Sequence, residues 1–201
     1  MSTTTDNCLI VFCRAPVLGQ VKTRLATELG EKGALDAYRN LVDHAIAQVT
    51  PVAATKVLAT TTMHPECECW AMRLGGEIVL QSGANLGERM HNAMAAQFQS
   101  GHKRVMLMGV DCPSLDAHMI GQGFEMLAID DVVFAPAEDG GYGLIGSCAA
   151  QPQLFRDIEW GTANVLSRTL QLCRAENLSV GLLPQIWDVD DLAGWQRFAA
   201  D

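Results

Sequence analysis

A chain of 201 residues that is 49% hydrophobic and 18% charged can bury a sizeable core, and it is sized for one domain, residues 1–201, rather than two. Its formal charge of -9, from 14 Lys and Arg against 23 Asp and Glu, repels phosphodiester backbones and excludes extended nucleic-acid binding. A small phosphorylated ligand held by local cations or a metal stays open.

The seven cysteines (Cys8, Cys13, Cys67, Cys69, Cys112, Cys148 and Cys173) are odd in number and scattered, with no C-x-x-C pair. Cys67-x-Cys69 is too tight for paired zinc spacing, so reduced thiols in a cytosolic protein are expected. No basic start leads into an apolar segment, and no apolar run approaches the ~18 residues of a membrane span. The expectation is a soluble, cytoplasmic protein.

After a polar start, Ser2 to Asn7, the run Cys8 to Cys13 is apolar throughout and reads as a buried parallel strand. It leads into RAPVLGQVKTRL, Arg14 to Leu25, which carries Arg14, Lys22 and Arg24 together with Pro16 and the flexible Gly19. A basic, Gly-containing loop between a first strand and a helix suits phosphate binding by backbone N–H groups, the helix's positive end and side-chain cations. A solvated basic loop is the alternative. Neither the Walker A pattern nor G-x-G-x-x-G is present.

Glu31 to Val49 has helical spacing, with Leu35, Tyr38, Leu41, Val42, Ala45, Ile46 and Val49 as the core stripe and His44 beside it as a structural residue. Lys56 to Thr61 and Glu77 to Gln81 read as the second and third strands. Strands alternating with helices point to a parallel sheet. Ser82 to Asn85, including Gly83, is turn chemistry, and Leu86 opens a helix whose Met90, Ala93, Met94, Gln97 and Phe98 mark one face. At its start, Arg89 is either a ligand for a phosphate or carboxylate, or an exposed helix charge.

The next strand, Val105 to Gly109, is followed by Val110, Asp111 and the strand-breaking Cys112-Pro113. A carboxylate where a buried strand leaves the sheet lies in the crevice where open α/β sheets bind ligands. The alternative is that Asp111 merely caps the helix from Asp116, read over Ala117 to Ile129. Asp130 to Pro136 is another strand, breaking into AEDGGYGLIG. There Gly140 and Gly141 permit close ligand approach beside Glu138 and Asp139, or else form an ordinary hairpin turn. Thr162 reads as the N-cap of a helix over Ala163 to Glu176, whose buried face is Val165, Leu166, Thr169, Leu170 and Cys173. Ser179 to Leu183 is the last strand. Asp188, Asp190 and Asp191 follow it. Asp190 or Asp191 caps the final helix, while Asp188 and Asp190, at i and i+2, point the same way and would repel unless a cation sits between them.

Five ordered motifs run from Cys8 to Trp195: F-x-R-x-P-x-x-G-x-V-K-T-R-L, Q-x-G-x-x-L-G-E-R-M, G-x-D-C-P-S-L, P-A-x-D-G-G-Y-x-L-I-G, and D-V-D before a final helix. Together they resemble the DUF2064 group, the selenodomain-associated transferase 1 family of the nucleotide-diphospho-sugar transferase (glycosyltransferase A-like) superfamily. More distantly, they are similar to the molybdenum-cofactor and 2-phospholactate nucleotidyltransferases. The resemblance implies an α/β fold, a three-layer αβα sandwich with a mixed, mostly parallel sheet and a nucleotide over its first half. It implies that Arg14, Lys22 and Arg24 contact phosphates; Gly19, Gly83 and Arg89 join them as substrate-binding candidates from the local loop, turn and helix-start readings. Asp111, Asp188 and Asp190 would hold Mg2+ or Mn2+, and Asp139, Gly140, Gly141 and Tyr142 would line the acceptor pocket.

The expected function is metal-dependent transfer from a nucleotide-activated donor, a nucleoside-diphosphate-sugar, to a small-molecule acceptor. Catalysis would rest on Asp111, Lys22 and Asp139, with an acid of the Glu138-Asp139 loop as general base. The missing glycine-rich loop favours sugar transfer over nucleotidyl transfer from a nucleoside triphosphate. A third possibility is a nucleotide-binding protein without turnover.

Overall fold

The computed structural model describes residues 5–200. Ser2 to Thr4 of the expected loose start lie outside the described residues, and Asn7 already belongs to the first strand. That strand, β1 (Asn7–Cys13), is flanked in parallel by β2 (Thr55–Thr60) and β4 (Arg104–Gly109). β3 (Glu77–Leu80) extends the sheet beyond β2. On the other side, β6 (Tyr142–Ser147) runs antiparallel to both β4 and β5 (Val132–Pro136), and β7 (Val180–Leu182) pairs in parallel with β5. The order is β3-β2-β1-β4-β6-β5-β7.

Side-chain alternation along β1 covers both faces of this sheet. Leu9 and Val11 pack with α1 (Thr23–Val49), α2 (Pro65–Leu74) and α4 (Ala117–Met126). Cys8 and Ile10 pack with α3 (Leu86–Gln99) and α5 (Val165–Ala175). A strand apolar from Cys8 to Cys13 therefore fills two cores, as expected for the middle of a mostly parallel sheet. The α6 helix (Leu192–Ala200) lies on the α1 side, where Trp195 joins Leu41, Trp187 and Val189. The result is the three-layer αβα arrangement with a mixed sheet.

The core stripe of α1 is buried at all seven expected positions, from Leu35 to Val49. The helix begins earlier than its apolar spacing indicates, at Thr23, and bends at Gly30, whose φ of 70° no β-carbon obstructs. The basic loop therefore ends at Lys22, and Arg24 is already helical. The α4 helix stops at Met126 rather than Ile129, and Ile129 is exposed. Thr162 is not a cap: its hydroxyl donates to Glu159 O at 2.9 Å, and α5 starts only at Val165. AEDGG proves to be the turn of the β5–β6 hairpin, and that hairpin sets β6 antiparallel to its neighbours.

Candidate active site

A cleft of about 650 Å³ opens at the carboxyl ends of β1 and β4, where the order of parallel strands reverses. The loop after β1 enters it under restraint. Tyr38 of α1 accepts from Arg14 N at 2.7 Å and donates to Arg14 O at 2.8 Å, while Thr61 Oγ1 accepts from Ala15 N at 3.0 Å. These two N–H groups are thus committed to the protein. The loop ends at Lys22, held in the left-handed region at φ 47°, an uncommon conformation for a residue with a side chain. From there its ammonium lies 3.1 Å from Asp111 Oδ2 and 3.3 Å from Asp190 Oδ1, and it donates to Val189 O at 2.6 Å.

Asp111 and Asp190 meet because Val189 N donates to Asp111 O at 2.9 Å, while Ile186 N donates to Pro136 O at 2.8 Å. These bonds lay the D-V-D segment along the ends of β4 and β5, so Asp188 and Asp190 both line the cleft. Asp111 is no helix cap; Asp116 caps α4, accepting from Met119 N at 2.8 Å. Asp191 takes the corresponding role at α6, accepting from Gly194 N at 2.9 Å. One acid of the trio is thereby explained as structural.

The remaining cations form a rim. Arg24 reaches Asp190 Oδ2 at 3.2 Å but stays 75% exposed. Arg14 borders the cleft with its guanidinium 3.5 Å from Gln20 O. Arg89 is oriented by donating to Gly83 O at 3.1 Å. On the opposite wall Asp139 lines the cleft with one oxygen accepting from Gly141 N at 2.8 Å. Glu138 turns away and pairs with Arg197 at 3.2 Å, which leaves Asp139 as the acid of that loop able to meet a substrate.

The electrostatics follow from this crowding. Burial, then the charges of Asp190 and Asp139, push the Asp188 carboxyl up to about 6. Burial disfavours the Lys22 ammonium, yet Asp111 and Asp190 hold it above its ordinary value, so it stays a cation. Burial raises the Cys112 thiol well above its usual range, so it is inert beside Asp111. The hydroxyl of Tyr142 is buried and raised for the same reason; only the rest of that residue faces the cleft.

The family model described as "Uncharacterized protein conserved in bacteria (DUF2064)" matches residues 44–162. The chain belongs to the DUF2064 family. Its fold agrees with that of a candidate nucleotide-diphospho-sugar transferase from Desulfovibrio desulfuricans G20, at 32% identity and a TM-score of 0.86, over 94% of this chain and 84% of that one. The 4-diphosphocytidyl-2C-methyl-D-erythritol synthase of Anaerococcus prevotii shares the fold at 9% identity and a TM-score of 0.64, over 96% and 94% of the two chains. So does glucosyl-3-phosphoglycerate synthase from Mycobacterium tuberculosis in complex with Mn2+, UDP and glucosyl-3-phosphoglycerate, at 9% identity and 0.56, over 94% and 73%. No curated protein matches the chain.

Arg14, Lys22, Arg24, Arg89, Asp111, Asp139, Gly141, Tyr142, Asp188 and Asp190 thus come together around one cleft in this DUF2064 protein. Gly19, Gly83 and Gly140 do not line it. They shape the backbone behind it: at Gly83, with φ 138°, a β-carbon would stand 2.7 Å from Glu88 Cβ, and at Gly140 it would strike the Ala163 carbonyl. Gln81 and Trp160 are among the wall residues missed as site residues. Gln81 donates to Cys13 O at 2.7 Å and Ala59 O at 3.0 Å, knitting the ends of β1 and β2. Trp160 packs edge-on against Tyr142, 6.3 Å between centroids. A large aromatic in W-G-T and a glutamine leading the Q-x-G motif were the available signals.

A divalent cation would need carboxylate oxygens, and the donor set here is of that hard kind. Among the described residues, however, no three His, Cys, Asp or Glu side chains stand close enough to share an ion. The position between Asp111 and Asp190 is taken by Lys22. The three expected ligands border one cleft without forming a ready-made cluster.

Proposed function

We propose that this protein is a transferase that binds a nucleotide-activated donor, a nucleoside-diphosphate-sugar, in the cleft over β1 and β4 and passes the sugar to a small-molecule acceptor. The observation that carries the reading is the buried Lys22 ammonium held between Asp111 and Asp190, beneath a rim of Arg14, Arg24 and Arg89. Cations converging above a topological switch point suit a diphosphate, whose charge grows as the sugar leaves. Lys22 and Arg24 would stabilise that leaving group, and Arg14 and Arg89 would fix its orientation.

Asp139 would accept the proton of the acceptor hydroxyl; its Gly141 N contact already fixes the carboxylate's direction. Asp111, Asp188 and Asp190 would hold Mg2+ or Mn2+, which supplies Lewis-acid neutralisation of the departing diphosphate. Burial, and after it the neighbouring charges of Asp190 and Asp139, raise the Asp188 carboxyl, and a bound cation would relieve that crowding of acids. The seven free cysteines agree with a reducing cytoplasm.

Sugar transfer is favoured over nucleotidyl transfer by the loop after β1. A triphosphate cradle needs free backbone N–H groups, and those of Arg14 and Ala15 are bound to Tyr38 and Thr61. Incubation with UDP-, GDP- and CDP-sugars and with nucleoside triphosphates, followed by product analysis, tests the assignment. Release of nucleoside diphosphate from a sugar donor is the expected result. Release of pyrophosphate from a triphosphate would reassign the protein as a nucleotidyltransferase.

A further inference from the structure

Lys22 occupies the place that a metal between Asp111 and Asp190 would need. Its side chain is 5% exposed, it contacts a carboxylate on each side, and Val189 O accepts a third ammonium proton. A dication on the same two carboxylates would stand against this ammonium in a partly desolvated site, where like charges repel far more strongly than in water. Metal and lysine therefore compete for one position.

Two features make the lysine displaceable. It sits on a flexible four-carbon stem, and its backbone is held at φ 47° where the loop joins α1. Both acids are half-exposed and open to the cleft, at 44% and 48%. A donor diphosphate arriving there offers the ammonium oxygens outside the carboxylate pair. Asp188, which forms no salt bridge among the described residues, borders the same cleft.

We infer that Lys22 is a gate: in the ligand-free protein it neutralises Asp111 and Asp190 and excludes divalent cations, and the donor diphosphate draws it away so that the metal enters with the donor. This rests on the proposed donor site. It assigns the protein an obligatory coupling between metal and donor, and by linkage each strengthens the other by the same factor.

The test is Mn2+ binding, followed by electron paramagnetic resonance or calorimetry, on the full chain and on Lys22→Met, first without nucleotide and then with UDP, CDP and GDP. Thermal unfolding of each protein verifies that it is folded. The nucleotide-free wild type is expected to bind Mn2+ weakly and Lys22→Met at least about 10-fold more tightly, within the usual range of coupling between sites. Simple chelation of Mn2+ by the nucleotide would strengthen binding in both proteins alike, so the gain in metal-only affinity is the signature of the gate. Tight Mn2+ uptake by the nucleotide-free wild type overturns the gate without touching the donor reading, and this arm needs no variant. A folded Lys22→Met with no gain overturns it as well. Failure of every nucleotide to bind either protein, with or without Mn2+, sinks the donor reading and the gate together.

Discussion

Lys22 Nζ stands 3.1 Å from Asp111 Oδ2, joining the loop after the first strand to the loop after the fourth. Asp111→Ala removes one of the two carboxylates that compensate a nearly buried ammonium. Breaking a fully buried pair costs several kcal/mol; with Asp111 half-exposed and Asp190 remaining, a loss of about 1–2 kcal/mol is expected in urea unfolding. Sugar transfer should fall by on the order of 100-fold or more in the same variant, since the leaving diphosphate loses a carboxylate that would hold the metal and that positions the Lys22 ammonium.

Gly140 and Gly19 both have positive φ, 88° and 74°, but their surroundings differ. At Gly140 a β-carbon would strike the Ala163 backbone carbonyl, which cannot yield without moving the start of α5. At Gly19 it would meet only the end of the Glu31 side chain, 3.2 Å away. Gly140→Ala should therefore cost about 3 kcal/mol or more, and Gly19→Ala about 1 kcal/mol. Unfolding midpoints of the two variants check the order; equal losses would contradict this account.

At the start of α2, Arg39 holds Glu66 with two bonds, Nε to Oε2 at 2.8 Å and Nη2 to Oε1 at 2.7 Å. These bonds keep the Glu66 carboxyl below its ordinary value of 4.5 in the folded protein. A depressed folded value means stabilisation that is complete above the ordinary carboxyl range and is lost as pH falls through the lower folded value. Glu66→Gln should be less stable at neutral pH by about 0.5–1 kcal/mol, with the gap to wild type closing on acidification below the ordinary carboxyl range. Denaturant titrations at neutral pH and stepwise below pH 5 measure this. A gap that persists undiminished in acid would contradict the assignment.

Asn85 and Glu88 form a reciprocal cap on α3. Asn85 Oδ1 accepts from Glu88 N at 2.9 Å, and Glu88 Oε2 accepts from Ala84 N at 2.8 Å. Asn85→Ala should cost about 1 kcal/mol of stability. Because Asn85 and Arg89 border the cleft, it should also raise KM for the donor more than it lowers kcat.

Much of this protein is legible in its sequence. The apolar runs of β1 and β4 announce strands covered on both faces, since only a parallel sheet between helix layers buries every position. The apolar spacing of α1 and α3 names their buried stripes, because helical periodicity is local. The convergence of Arg14, Lys22, Arg24, Asp111, Asp139, Asp188 and Asp190 was also readable, because each follows a strand on the edge where open sheets gather their ligand loops.

What tertiary structure alone decided was how those charges pair. Sequence places Asp188 and Asp190 on one side of an extended segment and leaves the cation between them unnamed. The fold brings Lys22 against Asp190 and Asp111, an arrangement set by the Val189–Asp111 backbone bond and invisible to local spacing. It likewise turned Glu138 toward Arg197 and left Asp139 in the cleft, a choice between neighbours that rests on how α6 packs. It gave Thr162 a carbonyl partner instead of a helix to cap. Residue types and their periodicity carry the layers and the edge on which chemistry gathers. Which carboxylate meets which cation depends on contacts between segments remote in the chain, and those exist only once the chain has packed.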